Sequence, residues 1–402
     1  MKKLLILLVT VLFTINCSRP VYALSDKTIV RYLIANMTLE EKIGQLFIIR
    51  PDCLNPDYES DDKDYEDKVL TYLSDEMRET YKEYPAGGFV LFTKNIVDEK
   101  QLTDFNEQLH SLNKLTPIIC VDEEGGSVSR IANDPDFDVP HYASMEDVGS
   151  SGKWGDAYDV GFSIGSYLNR YGFDLDFAPV ADVNTNPDNI VIGSRAFGSD
   201  PYEASYLVQA FIYGMHDVNV MTCIKHFPGH GDTSGDSHID LTYTGKTWEE
   251  MQDWELVTFV GGILADTEMI MVAHIAAPNV TGSDEIATFS YTLVTEKLRN
   301  ELGYEGVIIT DSMEMGTIRH SCDSAEAAVR AIKAGVDMIL LPYVYKEAFN
   351  GIKEAVLNGE ISEARINESV YRILLMKFRH FDFAYGSFMP MEYIVDKKRE
   401  NS

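Results

Sequence analysis

The chain has 402 residues, 45% of them hydrophobic and 11% aromatic, and carries a formal net charge of −30. That apolar share can bury a core, which excludes a globally disordered chain. The acidic balance excludes a nucleic-acid binder, because phosphate recognition needs a basic footprint and none is visible.

The first 23 residues read as an export signal peptide. Lys2 and Lys3 form a basic start, Leu4 to Ile15 a short apolar run, and Val21-Tyr22-Ala23 a cleavage site. The run is too short to span a membrane. The mature chain is therefore expected to be exported (secreted, periplasmic or associated with the cell envelope) and to have no transmembrane domain. Lipid attachment at Cys17 is the rival reading; Asn16 before it is neither small nor apolar, which suits a lipidation signal poorly. Cys53, Cys120, Cys223 and Cys322 are irregularly spaced and form no CxxC, so no disulfide framework is expected. Cys120 and Cys223 sit in apolar runs and read as small buried hydrophobes.

Beyond the signal, short apolar runs rich in β-branched residues recur at 44–49, 87–92, 117–122, 173–180, 220–226, 269–275, 306–311 and 336–341. Helical patterns lie between them at 99–114, 157–171, 201–217, 247–265, 292–302 and 323–334, and two more follow near 346–357 and 362–378. The stretch LTDFNEQLHSLNKL has the apolar spacing of a helix lying on a sheet. DSAEAAVRAIKAG opens on an acidic cap and stops at Gly335. Nearly continuous apolar strands alternating with helices imply a parallel sheet covered by helices. Eight such units predict an α/β fold of the (β/α)8 barrel type, with a doubly wound open sheet as the alternative. The expected division is signal peptide 1–23, one catalytic barrel 24–380 and a tail 381–402, with no second α/β domain. The acidic stretch 51–68 reads as an exposed loop.

A barrel places catalytic groups at the C-terminal ends of its strands. Asp122 ends the third run, Asp182 follows the fourth, Lys225 and His226 end the fifth, His274 the sixth and Asp311 the seventh. Each alone could be a helix cap; their shared rim favours function. Asp311, held by a rigid strand at the barrel mouth, can be a nucleophile, a base or a metal ligand. After the fifth run comes KHFPGHGDTSGDSH, residues 225–238. It lacks the phosphate-cradling GxxxxGK[ST] arrangement. Its histidines and aspartates could ligate a metal, though three glycines make a poor cage. Asp236 and His238, two residues apart, could instead pair, so that the carboxylate orients the imidazole and raises its pKa for proton transfer. Residue types alone leave metal binding and proton transfer both open.

The same stretch resembles the signature of glycoside hydrolase family 3, in its β-N-acetylhexosaminidase branch, whose pattern is KH-[FI]-PG-x-G-x(4)-D-[ST]-H. VDEEGG at 121–126, FAPVADVNTNPDNIVIGSRAFGSDP at 177–201 and VIITDSMEM at 307–315 resemble further family segments in the same order, so the likeness runs from about residue 35 to 378. The resemblance implies a retaining double displacement through a covalent glycosyl-enzyme. Asp311 would be the nucleophile and His238 the acid/base, paired with Asp236. Asp122, Arg130, Arg195, Lys225 and His226 would hold the sugar. It implies no metal and no organic cofactor. The partner would be a carbohydrate: terminal β-linked N-acetylglucosamine on peptidoglycan fragments (muropeptides) or chitin oligomers. Two departures stand out. Ser127 replaces an arginine frequent after EGG, and IATFS at 286–290 replaces a proline-containing turn. A β-glucosidase of the same family and a non-catalytic glycan-binding barrel are the alternatives.

Overall fold

The computed structural model describes residues 25–56, 70–233 and 241–381, together with Phe383 and Phe388. The expected export signal, Cys17, Asp236 and His238 lie outside the described residues. Each of the eight apolar runs yields one strand: β1 (Phe47–Ile49), β2 (Gly88–Val90), β3 (Ile118–Val121), β4 (Leu175–Asp176), β5 (Met221–Phe227), β6 (Met269–Val272), β7 (Val307–Thr310) and β8 (Ile339–Leu340). They form one parallel sheet in the order β7-β6-β5-β4-β3-β2-β1-β8. A parallel bridge between Ile309 and Met338 brings β7 to the segment leading into β8, so the sheet nearly closes into the expected (β/α)8 barrel.

Side chains alternate along each strand, and the two faces fall into two apolar clusters. Ile48, Cys120, Leu175, Cys223, Met271 and Ile309 belong to the barrel interior. Their neighbours Phe47, Ile119, Ile224, Ile270 and Ile308 face the surrounding helices. Because both faces are covered, the strands read as unbroken apolar runs. Among the described residues Cys53, Cys120, Cys223 and Cys322 are free thiols.

The sequence reading needs three corrections. Gly44 and Gln45 do not start a strand. They end the helix Leu39–Gln45, nucleated by a capping box in which Thr38 and Glu41 satisfy each other's backbone N–H. The predicted helix 247–265 breaks into Trp248–Gln252 and Glu255–Leu264, because Trp254 leaves helical geometry at φ −137° and ψ −86°. The segment expected as an exposed loop begins instead with a buried 3-10 turn, Pro51–Leu54, whose Asp52 meets Lys94 at 3.0 Å; residues 57–69 lie outside the described ones.

The last helix, Glu363–His380, plugs the N-terminal end of the barrel, with Ile373 and Met376 joining the interior cluster. Its Lys377 is fully buried and donates to Gln45 Oε1 at 2.9 Å and to the Gly87 carbonyl at 2.8 Å. Burial pushes the amine down to about 7, against the opposing field of Asp174. The unfolded chain holds that proton up to about pH 10.4. Between those values the unfolded state binds more protons, so this group makes stability rise with pH. We expect chemical denaturation of Lys377→Met to show a flatter rise from pH 7 to 10 than the parent. Parallel curves would mean that the amine stays charged in the fold.

Candidate active site

The C-terminal rim of the barrel gathers an unusual density of buried charge. Asp122 directly follows β3, and the segment after it carries Glu123 and Glu124. Lys225, inside β5, bridges two acids of this segment: its Nζ donates to Asp122 Oδ1 at 2.8 Å and lies 2.5 Å from Glu124 Oε1. Arg195, from the loop after β4, donates its Nε to Glu124 Oε2 at 2.8 Å and its Nη2 to Oε1 at 2.7 Å. This two-point fork is the strongest geometry a guanidinium can offer a carboxylate. Burial alone would raise the pKa of Glu124, but Arg195 and Lys225 outweigh it and hold the carboxyl well below its usual range. Burial likewise works to strip Lys225 of its proton, whereas Asp122 and Glu124 keep it above the ordinary lysine value.

Glu123 is buried with opposite surroundings. Its carboxylate accepts the backbone N–H groups of Arg130 (2.6 Å), Ile131 (2.9 Å) and Ala132 (2.8 Å) and the Tyr167 hydroxyl (2.8 Å). It therefore folds the turn back and sets Arg130 beside Asp122, with Nη2 3.5 Å from Oδ2. The Arg130 guanidinium also lies over the Phe92 ring, 5.5 Å from its centroid.

On the opposite side, Asp182 organises the root of the histidine loop. Its carboxylate accepts the backbone N–H of His226 (3.1 Å) and of His230 (2.6 Å) and meets His226 Nδ1 at 2.7 Å. A carboxylate only accepts, so Nδ1 carries the proton in this contact and Nε2 is turned toward Arg195 Nη2, 3.5 Å away. Asp311 follows β7. Its backbone N–H donates to the Val272 carbonyl at 2.9 Å, and its Oδ1 accepts from Ser312 N–H at 2.7 Å. Burial works to raise its pKa, but the fields of His226 and His274, the Ser312 N–H and Lys225 bring it below the usual aspartate value. His274 is itself fixed between the Thr288 hydroxyl (2.7 Å) and the Ser312 carbonyl (2.9 Å).

Asp122, Arg130, Arg195, Lys225, His226 and Asp311 thus come together on one rim. Asp236 and His238, expected as the proton-transfer pair, lie outside the described residues. The loop that leads toward them is anchored: a Cβ on Gly231 would lie 1.9 Å from the Val183 carbonyl, and His230 O and Thr233 O accept from Asn189 (2.7 Å) and Asn186 (3.0 Å). Beyond it, Thr244 donates to Asp232 at 2.9 Å. Sequence reasoning does not single out Glu123 and Glu124. The available signal was two further acids directly after Asp122 at the end of an apolar strand.

Removing the Glu124 charge leaves two buried cations short of a partner. Glu124→Gln should therefore cost about 3 kcal/mol of unfolding free energy, measured by urea denaturation. The double variant Glu124→Gln/Arg195→Met should lose clearly less than the sum of the two single variants. Additive losses would show that the pair is not coupled.

Comparisons with known proteins bear on the family and the fold. Residues 38–376 match the glycosyl hydrolase family 3 N-terminal domain. The chain is similar to the β-hexosaminidase of Stenotrophomonas maltophilia strain K279a (31% identity, over 72% of this chain and 86% of that one). It is also similar to β-hexosaminidase A of Pseudoalteromonas piscicida (31%, over 77% of this chain but 56% of that one). The structure resembles a glycoside hydrolase family 3 β-N-acetylglucosaminidase from Paenibacillus sp. str. FPU-7 with a TM-score of 0.77 and 33% identity, covering 86% of this chain and 63% of that one. The chain thus spans little more than half the length of some relatives and nearly all of others. With the matched region covering most of the 402 residues, this chain belongs to glycosyl hydrolase family 3.

Proposed function

We propose that the chain is an exported, retaining β-N-acetylhexosaminidase that removes terminal β-linked N-acetylglucosamine from peptidoglycan fragments or chitooligosaccharides. The observation that carries this reading is the convergence of Asp311 with Asp122, Arg130, Arg195, Lys225 and His226 on one barrel rim. The hexosaminidases and the N-acetylglucosaminidase it resembles support the choice of sugar. Export rests on the amino-terminal sequence.

In this mechanism Asp122 accepts from sugar hydroxyls while Lys225, Arg130 and Arg195 donate to them. Charge-assisted bonds of this kind fix a sugar ring more firmly than neutral ones. Asp311, kept ionised by His226, His274, Lys225 and the Ser312 N–H, attacks the anomeric carbon. The leaving oxygen takes its proton from His238, held by Asp236. The glycosyl-enzyme ester is then opened by water, from which His238 withdraws a proton. Asp311, stiffened by the β7 strand and the Ser312 N–H, needs little reorganisation as charge develops.

Asp311→Asn should lower kcat on p-nitrophenyl β-N-acetylglucosaminide at least ~10³-fold, because the covalent route is lost. EDTA should leave the parent rate unchanged. A rate lost in EDTA and restored by Zn²⁺ would instead assign the histidine loop to a metal. His238→Ala should slow alkyl glycosides by about 10²–10⁴-fold, and p-nitrophenyl glycosides much less, because an activated phenol leaves without a proton. Equal slowing of both classes would remove the acid role from His238. The lowered pKa of Asp311 also fixes the acid side of the pH profile. The nucleophile is ionised above its folded pKa, so the acid limb of kcat/KM should lie below the ordinary aspartate value. An acid limb near neutrality would contradict the ionised-nucleophile reading. Faster cleavage of the β-glucoside than of the N-acetylglucosaminide at equal concentration would replace the sugar assignment.

A further inference from the structure

The pole of the barrel opposite the rim carries positive charge that the rim chemistry does not use. Asp337, fully buried just before β8, is met by three arginines: Arg299 Nη2 at 2.6 Å, Arg372 Nη1 at 2.9 Å and Arg365 Nη1 at 3.9 Å. Three cations against one carboxylate leave an excess of two. Burial, with the field of Arg372, pulls Arg299 below the ordinary arginine value in spite of Asp337. Two of the three arginines are committed to the fold. Arg365 donates to the Ile332 and Val336 carbonyls and to the Ser369 hydroxyl, and Arg299 donates to the Tyr304 and Gly306 carbonyls. Arg372 differs. Among the described residues Asp337 is its sole acceptor, through Nη1, so Nε and Nη2 have none. Its side chain lines a cavity of about 1090 Å³ bordered by the helices Asp26–Asn36, Thr292–Glu301 and Glu363–His380. Lys27, Arg31 and Arg379 line the same cavity, and none of them makes an ion pair among the described residues; Arg31 lies over the Tyr371 ring. The acids there are fewer. Glu363 is taken by Lys42 at 2.7 Å, which leaves Glu305 and Glu368. The second cavity that Arg372 and Arg379 border carries Asp266 and Glu268, so the positive excess is confined to the first.

We infer that this cavity is a binding site for a phosphate monoester, held by Arg372 and Arg379 with the exposed Arg31 and Lys27 beside them. The site is separate from the catalytic rim and does not depend on the sugar assigned there. The Nε–Nη2 edge of a guanidinium is a planar two-donor fork that matches two oxygens of a phosphate. A phosphate dianion offsets the excess of two that Asp337 leaves. A carboxylate offsets half of it, and a neutral ligand none. A chain of net charge −30 repels extended polyanions at long range, yet a local basic pocket still holds one compact anion. The volume exceeds that of the phosphate group and leaves room for the body esterified to it.

The test titrates the full chain calorimetrically with glycerol 3-phosphate, with inorganic phosphate and with acetate, at constant ionic strength. The parent should bind glycerol 3-phosphate saturably and more tightly than either of the other two. Arg372→Gln and Arg379→Gln should each weaken that binding about tenfold, as expected from losing a charge-assisted donor. Both should leave kcat/KM on p-nitrophenyl β-N-acetylglucosaminide within about twofold of the parent. Lys153→Gln, at an exposed cation outside the cavity, should change neither reading. Arg379→Gln, at an exposed side chain without an ion pair, gives the answer if Arg372→Gln does not fold. A parent that binds no phosphate would overturn the inference. So would binding that survives both arginine variants and competes with the aryl glycoside, which would place the phosphate on the rim cations. Acetate bound as tightly as glycerol 3-phosphate would reject the phosphate class, and inorganic phosphate bound more tightly than the ester would assign the cavity to the free anion; either result overturns the monoester. A native chain that leaves the aryl glycoside intact while still binding glycerol 3-phosphate through Arg372 and Arg379 would reject the proposed hydrolase and keep this site.

Discussion

The rim depends on one buried carboxylate. Glu124 takes the Arg195 fork on both oxygens and Lys225 on one of them, and through these contacts it joins three segments far apart in sequence. Lys225 reaches from Glu124 to Asp122, and Arg195 reaches from Glu124 toward His226. Without Glu124, the buried Lys225 would keep only Asp122 and the half-buried Arg195 would lose its carboxylate partner, a change that costs several kcal/mol. With Glu124 present, both cations keep donors to spare. The site thus contains positive charge that is structurally secured and still able to bind an incoming hydroxyl.

Asp182 and Glu123 perform the same service for the parts that are not cationic. Each is a buried acid filled by backbone N–H groups, and each fixes the path of a loop rather than facing a ligand. Their consequences differ in kind. Asp182 selects the ring nitrogen that His226 turns toward the rim. Glu123 decides where Arg130 stands relative to Asp122. Short rigid strands alone could not do this, because β3 and β4 end before these residues begin. The loops acquire their precision from buried carboxylates.

This division explains what could be read from the sequence. The eight strands were legible because two-sided burial writes an unbroken apolar run, and Asp122, Lys225, His226 and Asp311 were legible because each interrupts or ends such a run with a charge. Gly44 and Gln45 misled because the helix Leu39–Gln45 passes into β1 without a turn residue to mark the border. The break at Trp254 was hidden because no proline or glycine causes it. Glu124 and Glu123 were obscured for a different reason. Adjacent acids look alike in sequence, and only the fold gives one two cations and the other three backbone N–H groups. Their ionisation behaviour diverges accordingly, with Glu124 pulled down by Arg195 and Lys225 and Glu123 raised by burial.

The charge distribution follows from the same constraint. A chain of net charge −30 repels acidic ligands at long range, yet its rim concentrates Arg130, Arg195 and Lys225. Those cations are balanced locally by Asp122 and Glu124, so the rim is polar and rich in donors without being a strong anion trap. Sugars are neutral and are recognised by directional donors and acceptors, and a balanced site meets that need where a net positive one would attract phosphates instead. Asp311 sits at the edge of this balance, where the fields of His226 and His274, the Ser312 N–H and Lys225 together offset its burial. Under the proposed reading, the arrangement that would hold a neutral sugar is therefore the same arrangement that keeps Asp311 ionised.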